Sequence, residues 1–221
     1  MKQVVKITDI RPVTHDVKCF RIEKPAGYKF SPGHATELSI NEPGLEDETR
    51  PFTFTCLTKD PFLEFTIKRY PEHKGVTDRL HQLKPGDELI LRESWGAIEY
   101  RGPGYFIAGG AGITPFIAIL RNLYDENKTT GNQLFFSNKT ASDIIYEKEL
   151  VNILGKNTVF ILTRDKKPGY ETGRINEEFM KKNIPDFSKH FYVCGPDPMV
   201  AEITNTLQKL GAPTESLVFE K

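Results

Sequence analysis

Tyr105-Phe106-Ile107-Ala108-Gly109-Gly110-Ala111-Gly112-Ile113-Thr114-Pro115 reads as a buried strand, a glycine-rich turn and a helix start in eleven residues. An unbroken apolar run such as Tyr105–Ala108 is expected of a strand covered on both faces. Gly109, Gly110 and Gly112 let the backbone turn tightly and let a pyrophosphate approach it, because no Cβ intervenes. Thr114 is placed to cap the helix, and Pro115 suits its first position. The free N–H groups of the helix start then face the phosphates. Pro115 stands where a G-x-G-x-x-G fingerprint has its third glycine. The assignment to a dinucleotide-binding turn therefore rests on the strand before it and the amphipathic helix after it.

Downstream the same rhythm repeats. Short apolar runs at Gln133–Phe136, Thr158–Leu162 and Phe191–Cys194 alternate with helical patterns at Pro115–Glu126, Tyr146–Leu154, Ile175–Lys182 and Pro198–Leu210. Strand and helix in alternation predict an α/β domain with a doubly wound parallel sheet over residues 103–221. In such a sheet the ligand crevice lies at the carboxyl ends of the strands. Cys194-Gly195-Pro196 would then meet the reactive end of a bound cofactor, or Cys194 would fill a tight strand end as a core thiol.

Upstream of Arg101-Gly-Pro-Gly104 the pattern is different. β-Branched and aromatic runs at Val4–Ile10, Val17–Ile22, Ala35–Ile40, Phe52–Leu57, Phe62–Lys68 and Glu88–Leu91 are separated by Pro- and Gly-containing turns. That spacing predicts an antiparallel barrel or sandwich over residues 1–102. One helix is expected at Val76–Leu83, started by Thr77 or Asp78 and stopped by Pro85-Gly86.

At 221 residues and 38% hydrophobic, the chain can fill two modest cores. Basic and acidic residues balance at 30 each, and they balance on both sides of Pro103, so no nucleic-acid binding is expected. No run approaches the ~20 apolar residues of a membrane span, and the first residues have no apolar leader core. A soluble, cytoplasmic protein is expected. The three cysteines, Cys19, Cys56 and Cys194, are too few for a four-thiolate iron–sulfur centre and form no C-x-x-C pair. The five histidines show no metal-ligand spacing and read as surface or core residues, so no metal is expected.

Arg50-Pro51-Phe52-Thr53 opens a strand with a fixed cation, a ring and a hydroxyl. Alternation sends Arg50 and Phe52 to one face, where the guanidinium can pair with a phosphate and the ring can pack on a ligand. Thr53 remains free to hydrogen-bond a flat heterocycle. Together with the glycine turn, this segment resembles the ferredoxin–NADP reductase superfamily, in particular the bacterial flavodoxin/ferredoxin reductases and the oxidoreductase modules of oxygenase reductases. The resemblance covers essentially the whole chain. It implies an antiparallel FAD-binding β-barrel joined to a nucleotide-binding α/β domain. By that likeness Arg50 holds the FAD pyrophosphate, Phe52 lies on the flavin and ribityl side, and Thr53 sits near flavin N5. Two further family segments match. Phe65-Thr-Ile67-Lys68-Arg69 is a strand whose backbone faces the flavin, and Lys74-Gly75-Val76-Thr77 meets the pyrophosphate at a helix start. Lys68, Arg69, Lys74 and Arg79 read equally well as solvated surface charges. Phe52 replaces the family's commoner Tyr and loses a phenolic hydrogen bond. The sequence closes on Val218-Phe-Glu-Lys221, where plant-type members carry a terminal Tyr or Trp, so less of a gate over the flavin is expected.

The activity implied is hydride transfer from NADPH, or NADH, to FAD, with Thr53 and Cys194 bracketing the reacting atoms. The electrons then pass to a protein acceptor such as ferredoxin or flavodoxin. The alternatives are a flavin reductase using free flavin, or an electron-relay subunit of a larger redox complex. NADPH is expected to be preferred. An NAD-specific site places a carboxylate about 20 residues past the glycine turn, whereas here the strand ends in Ser137-Asn138-Lys139. Thr163-Arg164 and Thr172-Gly173-Arg174 resemble the 2′-phosphate site of NADPH-dependent bacterial members, with Lys139 and Tyr170 as further contacts.

Overall fold

The computed structural model describes residues 2–73, 75–96 and 98–219. Lys74 of the pyrophosphate segment and Glu220 and Lys221 of the closing segment lie outside them.

The first six strands are β1 (Gln3–Pro12), β2 (Val17–Glu23), β3 (His34–Ile40), β4 (Arg50–Thr53), β5 (Phe62–Lys68) and β6 (Glu88–Gly96). They form an antiparallel sheet in the order β4-β3-β6-β1-β2-β5. An antiparallel bridge between Phe54 and Phe65 joins the two ends of that order and closes the barrel. Closure removes the exposed edges that an open sheet would present. Inward-facing Val5, Ile7, Phe20, Ile22, Leu38, Phe65 and Leu91 fill the interior. Phe30 stacks on Phe54 at 4.3 Å between ring centroids. Two strand ends in the barrel differ from the expected ones by more than two residues. β4 stops at Thr53, because beyond the Phe54 bridge the chain turns, with Leu57 N–H donating to Asp60 Oδ2 at 2.8 Å. β6 runs on to Gly96 despite its polar residues, because Ser94 and Trp95 continue to pair with β3.

Helix α1 (Val76–Leu80) starts at the expected residue but ends three residues short of Leu83; Gly75 is its N-cap, and neither Thr77 nor Asp78 supplies a side-chain capping bond. It ends where the His81 ring takes up the Ile67 carbonyl of β5 at 2.8 Å.

The remaining strands are β7 (Gly104–Gly109), β8 (Gln133–Asn138), β9 (Thr158–Leu162), β10 (Glu171–Thr172), β11 (His190–Cys194) and β12 (Leu217–Phe219). They form a parallel sheet in the order β10-β9-β8-β7-β11-β12. Helices α2 (Thr114–Asp125), α3 (Glu147–Leu154), α4 (Glu177–Asn183) and α5 (Asp197–Lys209) lie within two residues of the expected boundaries. α2 and α3 cover one face around Phe106, Phe136 and Tyr192, while Met180 of α4 and Ile203 and Leu207 of α5 cover the other around Ile107, Phe135 and Phe191. Every residue of β7 is buried, which explains its unbroken apolar run. The strand order reverses between β7 and β11, and at such a switch point the ends of two neighbouring strands diverge and leave a crevice.

Candidate functional site

One cleft of about 1230 Å³ lies between the barrel and the carboxyl edge of the parallel sheet. On the barrel side it is lined by Arg50, Pro51, Phe52 and Thr53 of β4, Ile67 and Lys68 of β5, and Gly75, Val76 and Thr77 at the start of α1. Thr53 is buried, yet its hydroxyl has no hydrogen-bond partner among the described residues. Arg50 is exposed; among the described residues its Nη1 donates only to the neighbouring Thr49 carbonyl at 2.6 Å, and no carboxylate pairs with it. Lys68 is paired with Asp16 at 2.8 Å. Arg69 pairs with Asp78 at 2.7 Å and Arg79 with Glu42 at 2.6 Å, and neither lines the cleft, in keeping with surface charges. Trp95, 40% exposed, stands at the rim.

On the sheet side the cleft is lined by Gly110, Gly112 and Thr114 after β7, and by Cys194, Gly195 and Pro196 after β11. A single 3-10 turn, Gly110–Ile113, is inserted between strand and helix. Because of it the Thr114 hydroxyl donates back to the Ala111 carbonyl at 3.0 Å instead of capping α2, which has no side-chain cap. Pro115 sits in the first turn of α2, buried in the core, and does not reach the cleft. Gly112 is required by close approach: a Cβ there would lie 2.4 Å from the Cys194 carbonyl oxygen and 2.6 Å from the Gly195 nitrogen. The glycine turn and the end of β11 therefore touch backbone to backbone at the switch point. Cys194 is 5% exposed and faces the same cleft as Thr53.

The far end of the cleft is lined by Ser137, Asn138, Lys139 and Thr163. Arg164 and Arg174, expected in the site, stand outside its wall on the exposed surface. The chain leaves β9 at Leu162 and turns outward, and the Gly173 N–H returns to the Leu162 carbonyl at 2.9 Å, so both arginines follow one backbone contact. Neither makes an ion pair among the described residues, with Asp165 and Glu171 included. Tyr170 is turned away, its hydroxyl donating to Glu147. Asn138 went unrecognised in the sequence as a candidate site residue. Asn138 is 4% exposed, and neither its side-chain oxygen nor its nitrogen has a partner among the described residues. Only burial without satisfaction marks it out, and a sequence does not display burial.

These features fit a dinucleotide pair. A cavity of this size exceeds the roughly 300 to 1000 Å³ that one drug-sized ligand fills. It offers an uncompensated guanidinium, a backbone cradle that a Cβ would fill, and an orphaned buried amide.

The comparisons agree with that reading. Residues 106–205 match the family described as the oxidoreductase NAD-binding domain. The chain is 29% identical, over 98% of its length, to the reductase component of propane 2-monooxygenase from Rhodococcus jostii, and spans 62% of that protein. It is 32% identical, over 96% of its length, to NADH-cytochrome b5 reductase 2 of Mycosarcoma maydis, and spans 67% of that protein. In structure it resembles the flavohem-like FAD/NAD binding domain of nitric oxide dioxygenase from Vibrio cholerae. The TM-score is 0.87 at 20% identity, covering 99% of this chain and 97% of that one. Barrel, switch-point cleft and sequence likeness lead to one assignment: the chain belongs to the ferredoxin–NADP reductase superfamily of FAD- and NAD(P)-binding oxidoreductases.

Proposed function

We propose that this chain is an FAD-dependent reductase that takes a hydride from NADPH, or NADH, and passes the electrons to a separate redox protein. The observation that carries the reading is that the β4 and α1 segments and the glycine turn with Cys194 line one continuous cleft. Bound FAD supplies the redox chemistry, accepting a two-electron hydride and releasing electrons singly.

The chain's own part is binding and orientation. Arg50 holds a phosphate through charge-assisted hydrogen bonds, and the amides at Gly75–Thr77 support the same group. Phe52 would pack beside the ring system, and the Thr53 hydroxyl, without a partner among the described residues, would be free to hydrogen-bond it. Gly110 and Gly112 admit the coenzyme pyrophosphate, and Cys194, Gly195 and Pro196 hold the nicotinamide end against the barrel. Both sets of residues line one cleft, so they would hold the two rings in one arrangement, and positioning of that kind can supply a large share of the rate advantage of such a transfer.

The three cysteines of this sequence cannot by themselves assemble a four-thiolate cluster. The relatives named above are a monooxygenase reductase component and a cytochrome b5 reductase, which supports a protein acceptor of the ferredoxin, flavodoxin or cytochrome type. The test is anaerobic: the purified protein is yellow with bound FAD, bleaches on adding NADPH, and recolours on adding one acceptor from a panel of ferredoxins, flavodoxins and cytochrome b5. Colourless protein that cannot be reconstituted with FAD refutes the proposal. Colourless protein that reduces free flavin assigns the chain to the free-flavin reductases instead.

A further inference from the structure

Across the domain junction, Arg121 of α2 reaches the barrel. Its Nη1 donates to the Thr55 carbonyl at 2.5 Å and to Glu64 Oε1 at 2.8 Å. Its Nε and Nη2 donate to the two carboxylate oxygens of Glu149, on α3, at 2.6 and 3.0 Å. Glu64, on β5, is 3% exposed and also accepts from Arg21 Nε at 3.0 Å and Arg11 Nη2 at 3.1 Å. Burial alone would raise the Glu64 carboxyl, but Arg121 and then Arg21 hold it below the usual glutamate range, so it stays charged. A second crossing lies alongside, where the Tyr146 hydroxyl meets Thr66 Oγ1 at 3.1 Å and its ring lies under the Arg121 guanidinium at 5.1 Å.

We propose that Arg121, Glu64 and Tyr146 form a clamp that sets the separation of the two cofactor sites, acting as positioning residues for hydride transfer. The role in transfer rests on the function proposed above; the clamping of the domains does not. Three observations carry it. The crossings end beside the cleft: Thr55 is two residues past Thr53, and Thr66, which lines the cleft, precedes Ile67. On the other side, Arg121 and Thr114 share one rigid helix, seven residues or ~10 Å apart, so the guanidinium and the glycine turn move together. Finally, Tyr146 stands at φ +54°, ψ +36°, left-handed backbone that a tyrosine adopts only where its surroundings hold it. A guanidinium suits the position because one edge of its planar fork meets both Glu149 oxygens while Nη1 reaches Glu64 and Thr55, a spread that a compact ammonium does not match. The exposed Lys59–Asp125 pair at 2.6 Å crosses the same boundary without this enclosure and serves as a control.

The test compares Arg121→Lys, Tyr146→Phe and the control Lys59→Ala in the full-length, FAD-loaded protein. Flavin reduction is followed by stopped flow at saturating NADPH, and FAD and coenzyme affinities are measured separately. Arg121→Lys is expected to slow reduction about tenfold or more, since misplacement of ~1 Å carries that scale of effect. Tyr146→Phe is expected to act in the same direction and Lys59→Ala to leave the rate unchanged, with both affinities held within about threefold. In parallel, spin labels at exposed Glu72→Cys and Lys166→Cys report the distance between domains by double electron–electron resonance, without coenzyme. The native cysteines are buried, so the labels attach to the introduced pair. A narrow distribution that broadens in Arg121→Lys supports the clamp. A lower melting temperature with unchanged rate overturns the positioning role, and an unchanged distribution overturns the clamp. If Arg121→Lys does not fold, Tyr146→Phe, which removes one oxygen atom, decides both. Wild type that neither NADPH nor NADH reduces counts against the proposed function, while the label distances still decide the clamp.

Discussion

Replacing Gly112 with alanine places a methyl group 2.4 Å from the Cys194 carbonyl oxygen, 2.5 Å from its carbon and 2.6 Å from the Gly195 nitrogen. Non-bonded heavy atoms settle near 3.5 Å, so the glycine turn and the end of β11 must part by roughly 1 Å. Overpacking of this kind destabilises by typically 1 to 3 kcal/mol. Here the neighbours are backbone atoms that cannot rotate aside, so about 3 kcal/mol is expected. Gly110 supplies the contrast. A Cβ there meets nothing within 4 Å, and only its φ of +53° opposes a side chain. Gly110→Ala is therefore expected to lose only about 1 to 2 kcal/mol, the left-handed penalty. Function should separate the two further. The same parting displaces Cys194 and is expected to slow flavin reduction by roughly tenfold to a hundredfold in Gly112→Ala. Urea denaturation followed by circular dichroism gives the stabilities, and stopped-flow bleaching gives the rates. A Gly112→Ala variant as stable as wild type, or a Gly110→Ala variant more damaged than it, would show that the two segments do not meet as described.

Arg50→Ala should lower FAD retention by about 10- to 150-fold, the range of one lost charge-assisted contact of roughly 1.5 to 3 kcal/mol, read by fluorescence titration of the apoprotein. Cys194→Ala should slow hydride transfer by roughly tenfold or more while bound FAD remains; an unchanged rate would make Cys194 a packing residue. Glu64 carries an acid prediction. Its folded-state pKa is depressed, chiefly by Arg121 acting against burial, so its contribution is full above the unfolded value of ~4.3 and is lost as pH falls through the folded one. Melting temperature recorded from about pH 6 down to pH 3 should fall less steeply in Glu64→Gln than in wild type.

The parts of the molecule legible in the sequence are those whose signal is local. Tyr105–Pro115 declares a strand, a turn and a helix by composition alone, and the barrel strands are bounded by Pro and Gly turns. β10 and β12, of two and three residues, are too short to show a period and exist because a neighbouring strand pairs with them. Thr114 was expected as a cap because its residue type and place suit one, but the inserted 3-10 turn redirects its hydroxyl. The clamp has no local signature. Arg121 and Glu64 are 57 positions apart and Thr66 and Tyr146 are 80 apart, and only the packed fold brings them together. The departure of Arg164 and Arg174 from the cleft wall has the same origin, since the turn after β9 decides which way they point.

That departure reshapes the coenzyme prediction without removing it. Lys139 lines the far end of the cleft, and its carbonyl accepts the Arg164 N–H at 2.9 Å, so the Arg164 backbone is tied to the cleft's edge. Arg174 follows the Gly173 contact with Leu162, and neither guanidinium is neutralised by Asp165 or Glu171. Two exposed guanidiniums without an ion pair among the described residues, carried on the turns next to that edge, and the Lys139 ammonium in it suit a dianionic 2′-phosphate, and Asn138 presents an amide there. NADPH is therefore expected to exceed NADH in kcat/KM. Because both arginines are exposed, the gain should sit at the lower end for charge-assisted contacts, roughly 1.5 to 2 kcal/mol or about 10- to 30-fold. It should also shrink as salt rises past ~0.1 M, where the screening length falls to ~10 Å. Arg164→Ala with Arg174→Ala should remove that preference through NADPH alone and leave NADH turnover nearly unchanged. The name of the Mycosarcoma maydis relative carries NADH, and a wild-type preference for NADH, or equal losses with both coenzymes in the double variant, would show that these arginines do not read the phosphate.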